Sequence, residues 1–243
     1  MHVEESGPPA APRMLLLHGG GVAGWMWRPA ARRLATSHRV IVPDLPGHGR
    51  SAGEPYRSSQ HTVDAVAALL GSGAGPVAVV GFSLGGQLAV LLAAQHPGLV
   101  EQVVVVSAQA RPMRFAGAAL RLVGLTAPLA RRRWFAQLQA RALAVPPDLL
   151  ADYLTTSVTT SRTDLVAAVG ANLAFVPPPA WSRYPGRVLV LVGARERRLL
   201  QASARDLAAA APHGELEVVP GCGHGVPLQA PGWFADRVAG WLA

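Results

Sequence analysis

The 243-residue chain contains no lysine; all 22 of its basic residues are arginine. It has a single cysteine, Cys222, so no disulfide can form within it. No apolar run approaches the ~20 residues that a membrane-spanning helix needs. The first residues, Met1-His2-Val3-Glu4-Glu5-Ser6-Gly7-Pro8-Pro9, lack the basic stretch and apolar run of a secretory signal. A cytoplasmic chain with no stable membrane insertion is therefore expected. Acids are missing between Glu101 and Asp148, where Arg111, Arg114, Arg121, Arg131, Arg132, Arg133 and Arg141 all fall. That segment carries most of the net charge of +8. No histidine, cysteine and carboxylate group together at metal-ligand spacing. The run Gly19-Gly20-Gly21 is not followed by the pattern of a phosphate loop or dinucleotide fingerprint, and no nucleic-acid-binding module accompanies the positive charge. No metal, no cofactor and no nucleic-acid partner are expected.

What is present is ample apolar material, half of the residues, enough for one large α/β domain or a domain with an insertion. Short apolar runs at Met14–Leu17, Val40–Val42, Val77–Val80, Val103–Ser107, Val188–Val192 and Leu216–Val219 are nearly continuous, as in parallel strands covered on both faces. Helical patterns fall between them at Pro29–Thr36, Thr62–Leu70, Leu84–His96, Ser203–Ala210 and Trp233–Leu242. This alternation predicts a doubly wound, mostly parallel sheet, with sites beyond the carboxyl ends of its strands. From Gln109 to Arg187 no strand pattern appears. Helix-like pieces at Phe115–Leu125, Leu129–Leu143, Asp148–Thr156 and Asp164–Phe175 are divided by prolines, and Ser161-x-x-Asp164 resembles a helix N-cap. The expected division is a core of residues 1–108 and 188–243, with 109–187 inserted as a helical cap.

The densest chemical signal is Val77-Ala78-Val79-Val80-Gly81-Phe82-Ser83-Leu84-Gly85-Gly86. A strand runs into a sharp turn and then into a helix, with a serine at the apex. Such a turn exposes and orients a hydroxyl that is otherwise a poor nucleophile. Glycines flank it because side chains would clash in so tight a bend. Three further motifs stand at strand ends: Leu15-Leu16-Leu17-His18-Gly19-Gly20-Gly21 with Trp25 and Trp27 behind it, Pro43-Asp44-Leu45-Pro46-Gly47-His48-Gly49-Arg50-Ser51, and Val219-Pro220-Gly221-Cys222-Gly223-His224.

In this order the four motifs resemble those of the α/β-hydrolase-fold superfamily, and specifically of its capped, esterase-like serine hydrolases. The resemblance runs from Arg13 to the C-terminus. It implies Ser83 as nucleophile, His224 as general base, and an oxyanion hole formed by the amides of Leu84 and Gly20, with Gly21 the next choice. His18 is expected to shape that loop rather than act as a second base. The acid in such enzymes follows a strand-end glycine; here that register reads Gly193-Ala194-Arg195-Glu196, so Glu196 replaces the usual aspartate. A surface ion-pair network with Arg195, Arg197 and Arg198 is the competing reading of that glutamate. Gly21, Trp25 and Phe82 are expected near a substrate pocket, with Phe82 packed under the serine turn.

The implied reaction is hydrolysis of a carboxyl ester, a thioester or a lactone through an acyl-enzyme on Ser83. Cleavage of a C–C bond or cofactor-free perhydrolase chemistry uses the same groups, and a non-catalytic ligand-binding protein of this fold is the alternative of a different class. The substrate is a small acyl molecule, either neutral or anionic or carrier-linked. For the arginine-rich segment three readings stand: solvated helix faces, recognition of an anionic substrate, and contact with an anionic membrane surface.

Overall fold

A computed structural model describes residues 1–71, 75–113, 116–130 and 132–243. Arg114, Arg131 and the first residue of the expected Phe115–Leu125 helix lie outside the described residues. Among the described residues seven strands form one sheet: β1 (Val3–Ser6), β2 (Arg13–Leu17), β3 (Arg39–Pro43), β4 (Val77–Phe82), β5 (Val100–Val106), β6 (Arg187–Gly193) and β7 (Gly214–Val219). Their spatial order is β1-β3-β2-β4-β5-β6-β7. Only β1 runs antiparallel, against β3; every other pairing is parallel.

The apolar runs become intelligible in cross-section. In β2, Leu15 and Leu17 enter one core while Met14 and Leu16 enter the other. β4 divides likewise, Val77 and Val79 against Val80 and Phe82. Successive side chains point to opposite faces, and helices cover both, so neither face tolerates polar groups. Helices α1 (Arg28–Leu34), α2 (Ser59–Gly71) and α3 (Leu84–Gln95) occupy the first half of the chain. α3 is buried along most of its length and ends at His96, ahead of Pro97, which cannot continue it. Later in the chain, α8 (Arg198–Ala210) packs on β6 and β7, and the short α9 (Val226–Gln229) leads into α10 (Pro231–Leu242), which packs on α1.

Between β5 and β6 lie α4 (Ala116–Ala130), α5 (Arg133–Ala142), α6 (Leu150–Thr159) and α7 (Arg162–Ala174). Pro128 does not divide two helices, as expected; it lies in the last turn of α4, which runs on to Ala130, and the next helix opens at Arg133. Contacts tie these helices to loops at the carboxyl ends of β2 and β3. The Trp25 indole donates to Thr156 Oγ1 (2.9 Å). The Asp164 carboxylate accepts the Tyr56 amide (2.8 Å) and the Ser161 hydroxyl, and the Ser161 oxygen in turn accepts the Asp164 amide (3.0 Å), which caps α7.

β1 was not among the expected strands. Its sequence, Val-Glu-Glu-Ser, is mostly polar because it is an edge. Glu4 pairs with Arg50 and Glu5 with Arg39, charges that discourage pairing with a further strand. β7, the other edge, alternates Glu215-Leu216-Glu217 for the same reason, with Glu217 bound to Arg237 (2.7 Å).

Candidate active site

β4 and α3 meet at Ser83, which has φ 51° and ψ −113°, a left-handed region that non-glycine residues rarely occupy. Its neighbours explain why the strain persists. A Cβ on Gly81 would stand 2.2 Å from the Gly85 carbonyl oxygen, and one on Gly85 would stand 2.2 Å from that of Leu17. Only glycine permits so close an approach of β4, α3 and the end of β2. The Ser83 amide donates to Val106 O (2.8 Å), anchoring the turn to β5. Ser83 precedes α3, yet its side chain does not cap that helix; the hydroxyl stays free.

The loop after β2 lies against this turn. A Cβ on Gly19 would meet Phe82 at 2.9 Å and Ser83 Cβ at 3.4 Å, and one on Gly20 would find Leu84 Cδ2 at 3.8 Å. Leu84 opens α3, so its amide has no intrahelical partner and stands at the positive end of the helix dipole. His18 holds the loop from within. Its Nδ1–H donates to Gly19 O (2.8 Å), and its Nε2 accepts the Leu45 amide (2.9 Å). Both contacts suit the neutral ring. Burial, followed by the nearby His48, lowers its pKa to about 3 against weaker opposition from the Gly19 carbonyl and Asp44. The Asp44 loop is itself braced: Asp44 accepts the amides of Gly24 (2.7 Å) and Arg50 (2.9 Å).

His224 follows β7 in a glycine-flanked loop. Its Nδ1 lies 2.6 Å from Glu196 Oε2, and its ring packs against Phe82 with centroids 5.0 Å apart. This contact puts the imidazole beside the residue that precedes Ser83. No hydrogen bond joins Ser83 to His224 in the structure; such bonds often close only around substrate. Glu196 does not enter an ion-pair network with its neighbouring arginines. Its side chain is only 5% exposed, against 28% for His224, and its Oε1 accepts the Arg197 amide (2.9 Å). Burial pushes the Glu196 carboxyl up, but the hydrogen bond from His224, the His224 charge and the Arg197 amide outweigh it and hold the pKa below the usual range. The two loops are locked together: the Arg195 amide donates to Cys222 O (2.8 Å), and a Cβ on Gly193 would collide with that same oxygen at 2.4 Å. Cys222 is buried, and burial raises the pKa of its thiol.

A cavity of about 510 Å³ adjoins the glycine loop. Gly20 and Gly21 line one side; Pro128, Leu143, Tyr153 and Leu165, from the α4–α7 region, line much of the rest. Leu143 also touches the histidine loop, since a Cβ on Gly225 would lie 2.6 Å from its carbonyl oxygen. Of the expected pocket residues Gly21 lines this cavity, whereas Trp25 and Phe82 do not. Trp25 stands behind Tyr153, edge to face at 6.1 Å, and Phe82 lies beneath Ser83 and His224. Tyr153, Gln139 and Arg162 went unrecognised in the sequence, because they sit on helices without a motif.

A model of the alpha/beta hydrolase family matches residues 14–237, and the chain belongs to that family. Over 106 residues it is 41% identical to lipase LipV of Mycobacterium tuberculosis, a match covering 43% of this chain and 40% of that protein. The chain spans about two fifths of the length of this and other curated relatives that it matches. A longer match, 30% identical over 242 residues, covers 90% of this chain and 94% of the pimeloyl-(acyl-carrier protein) methyl ester esterase of Aromatoleum aromaticum. Among solved structures, the enol-lactonase from Burkholderia xenovorans LB400 has the same fold, with a TM-score of 0.84 at 22% identity over 99% of this chain and 95% of that one.

Proposed function

We propose that the chain is a serine hydrolase that cleaves carboxyl esters, or the related thioesters and lactones, through an acyl-enzyme on Ser83. The observation that carries this reading is the short Glu196–His224 contact beside a strained serine turn. With Nδ1–H donated to the carboxylate, Nε2 is left as the basic nitrogen. Ser83 Oγ attacks the acyl carbon as Nε2 takes its proton, and Glu196 stabilises the imidazolium without taking the proton itself. The amides of Leu84 and Gly20 hold the oxyanion, each donor worth on the order of 3 kcal/mol at the transition state. The leaving oxygen, sulfur or ring alkoxide departs with the proton from His224. Water, deprotonated by the same nitrogen, then releases the acid and restores Ser83.

Residues 109–187 act in this reading as a cap whose helices choose the acyl group, over a core of residues 1–108 and 188–243. The largely apolar cavity wall suits an aliphatic acyl chain. Arg162, on the same wall, suits a chain whose far end is anionic or carrier-linked, in keeping with the carrier-linked ester named for the Aromatoleum relative. Turnover of p-nitrophenyl esters of graded chain length tests the assignment. Ser83→Ala is expected to abolish it, and Glu196→Gln to lower kcat by about a hundredfold or more with little change in KM. Turnover surviving in Ser83→Ala would refute the acyl-enzyme.

A further inference from the structure

Helices α4 and α5 are built inside out. A surface helix ordinarily turns its large apolar residues to the core. In α4 the buried residue is Gly124, while Leu122 is 62% and Leu125 74% exposed. In α5 the buried residues are Ala136 and Ala140, while Trp134 is 62% and Leu138 57% exposed. Leu122, Leu125 and Leu129 recur at the spacing of one helical face, as do Trp134 and Leu138. The two helices pack against each other.

The charged residues among these side chains have one sign. Arg121, Arg132, Arg133 and Arg141 are exposed, and among the described residues none of them is in an ion pair. No carboxylate occurs from residue 102 to 147. A second copy of the chain would bring guanidinium against guanidinium, so self-association through this face is opposed by its charge.

We propose that the outer face of α4 and α5 is an interfacial surface that docks on an anionic lipid bilayer. The leucines and Trp134 enter the boundary between headgroups and acyl chains, and the arginines meet lipid phosphates. Among the described residues no helix is long and apolar enough to cross a membrane, so the contact is peripheral. α4 and α5 also wall the cavity, through Ala127, Pro128, Gln139 and Ala142. Under the hydrolase reading above, a lipophilic ester would therefore pass to the site from the bilayer. The docking itself does not depend on that reading.

The test uses full-length Ser83→Ala protein, so that binding is measured without turnover. It compares flotation with vesicles of phosphatidylcholine alone and of phosphatidylcholine mixed with phosphatidylglycerol. The protein is expected to float with the mixed vesicles at low salt and to be released at high salt. Brominated lipid should quench Trp134, a signal lost in Trp134→Phe. Leu125→Ser with Leu129→Ser should weaken partition about tenfold or more, and Arg132→Gln or Arg133→Gln about fivefold each. These positions are exposed, so the variants fold. Absence of flotation with the anionic vesicles, or flotation unchanged in the leucine variant, would overturn the proposal, as would capture of an acidic protein with no lipid binding at all.

Discussion

His18 sits on no catalytic path in the proposed reaction, yet it governs the loop that carries Gly20. Its two hydrogen bonds require the neutral ring with the proton on Nδ1. The folded protein keeps it neutral down to about pH 3, whereas in the unfolded chain it takes up a proton near 6.5. Acidification between those values therefore favours unfolding, at about 1.4 kcal/mol per pH unit for one such group. Urea unfolding at a series of pH values should show a shallower pH dependence in His18→Gln than in the wild type, with lower stability at neutral pH from the altered hydrogen bonds. An unchanged slope would place the titrating group elsewhere. Glu196 has a linkage of the same sign, at more acid pH. Its lowered pKa means that the His224 contact stabilises the fold above the ordinary carboxylate range and is lost as pH falls through the folded value.

At the scale of elements, the serine turn is held by backbone approach rather than by side-chain contacts. Gly85 touches the carbonyl oxygens of Leu17 and His18, at 2.2 and 2.6 Å from the position of an added Cβ. Those atoms belong to the sheet and the glycine loop and cannot swing aside. Gly85→Ala should destabilise the protein by roughly 3 kcal/mol or more, read from the denaturation midpoint. Gly240→Ala, where an added Cβ meets nothing within 4 Å, should stabilise it by up to about 1 kcal/mol. Equal effects would contradict the packing account. The central strands were legible because both their faces are covered and their sequence is apolar throughout. β1 was not, because an edge strand needs few apolar residues and takes its register from β3. The break expected at Pro128 falls two residues later, after Ala130, so that proline lies within α4.

At the scale of the molecule, the four strand-end motifs identified the family because each answers to backbone geometry that few sequences meet: glycines where chains touch, a serine at a bend, a histidine after the final strand. Glu196 was readable as the acid, but only with a surface ion pair as a standing competitor. Its burial beside His224 depends on the Arg195–Cys222 bond between loops that are distant in sequence. The cavity wall was not readable, since Tyr153 and Arg162 gain meaning only from the packing of α4–α7 on the glycine loop. Helix amphipathicity also failed to announce which face of α4 and α5 lies outward, because the buried face is built of alanine and glycine.

The account stands on an activated hydroxyl at Ser83. Incubation of the folded protein with a fluorophosphonate, followed by mass spectrometry of its peptides, tests this most directly. One adduct is expected, on Ser83, with labelling slowed strongly in His224→Ala and absent in Ser83→Ala. Folded wild-type protein that stays unmodified, or that carries its adduct on another residue, would contradict it.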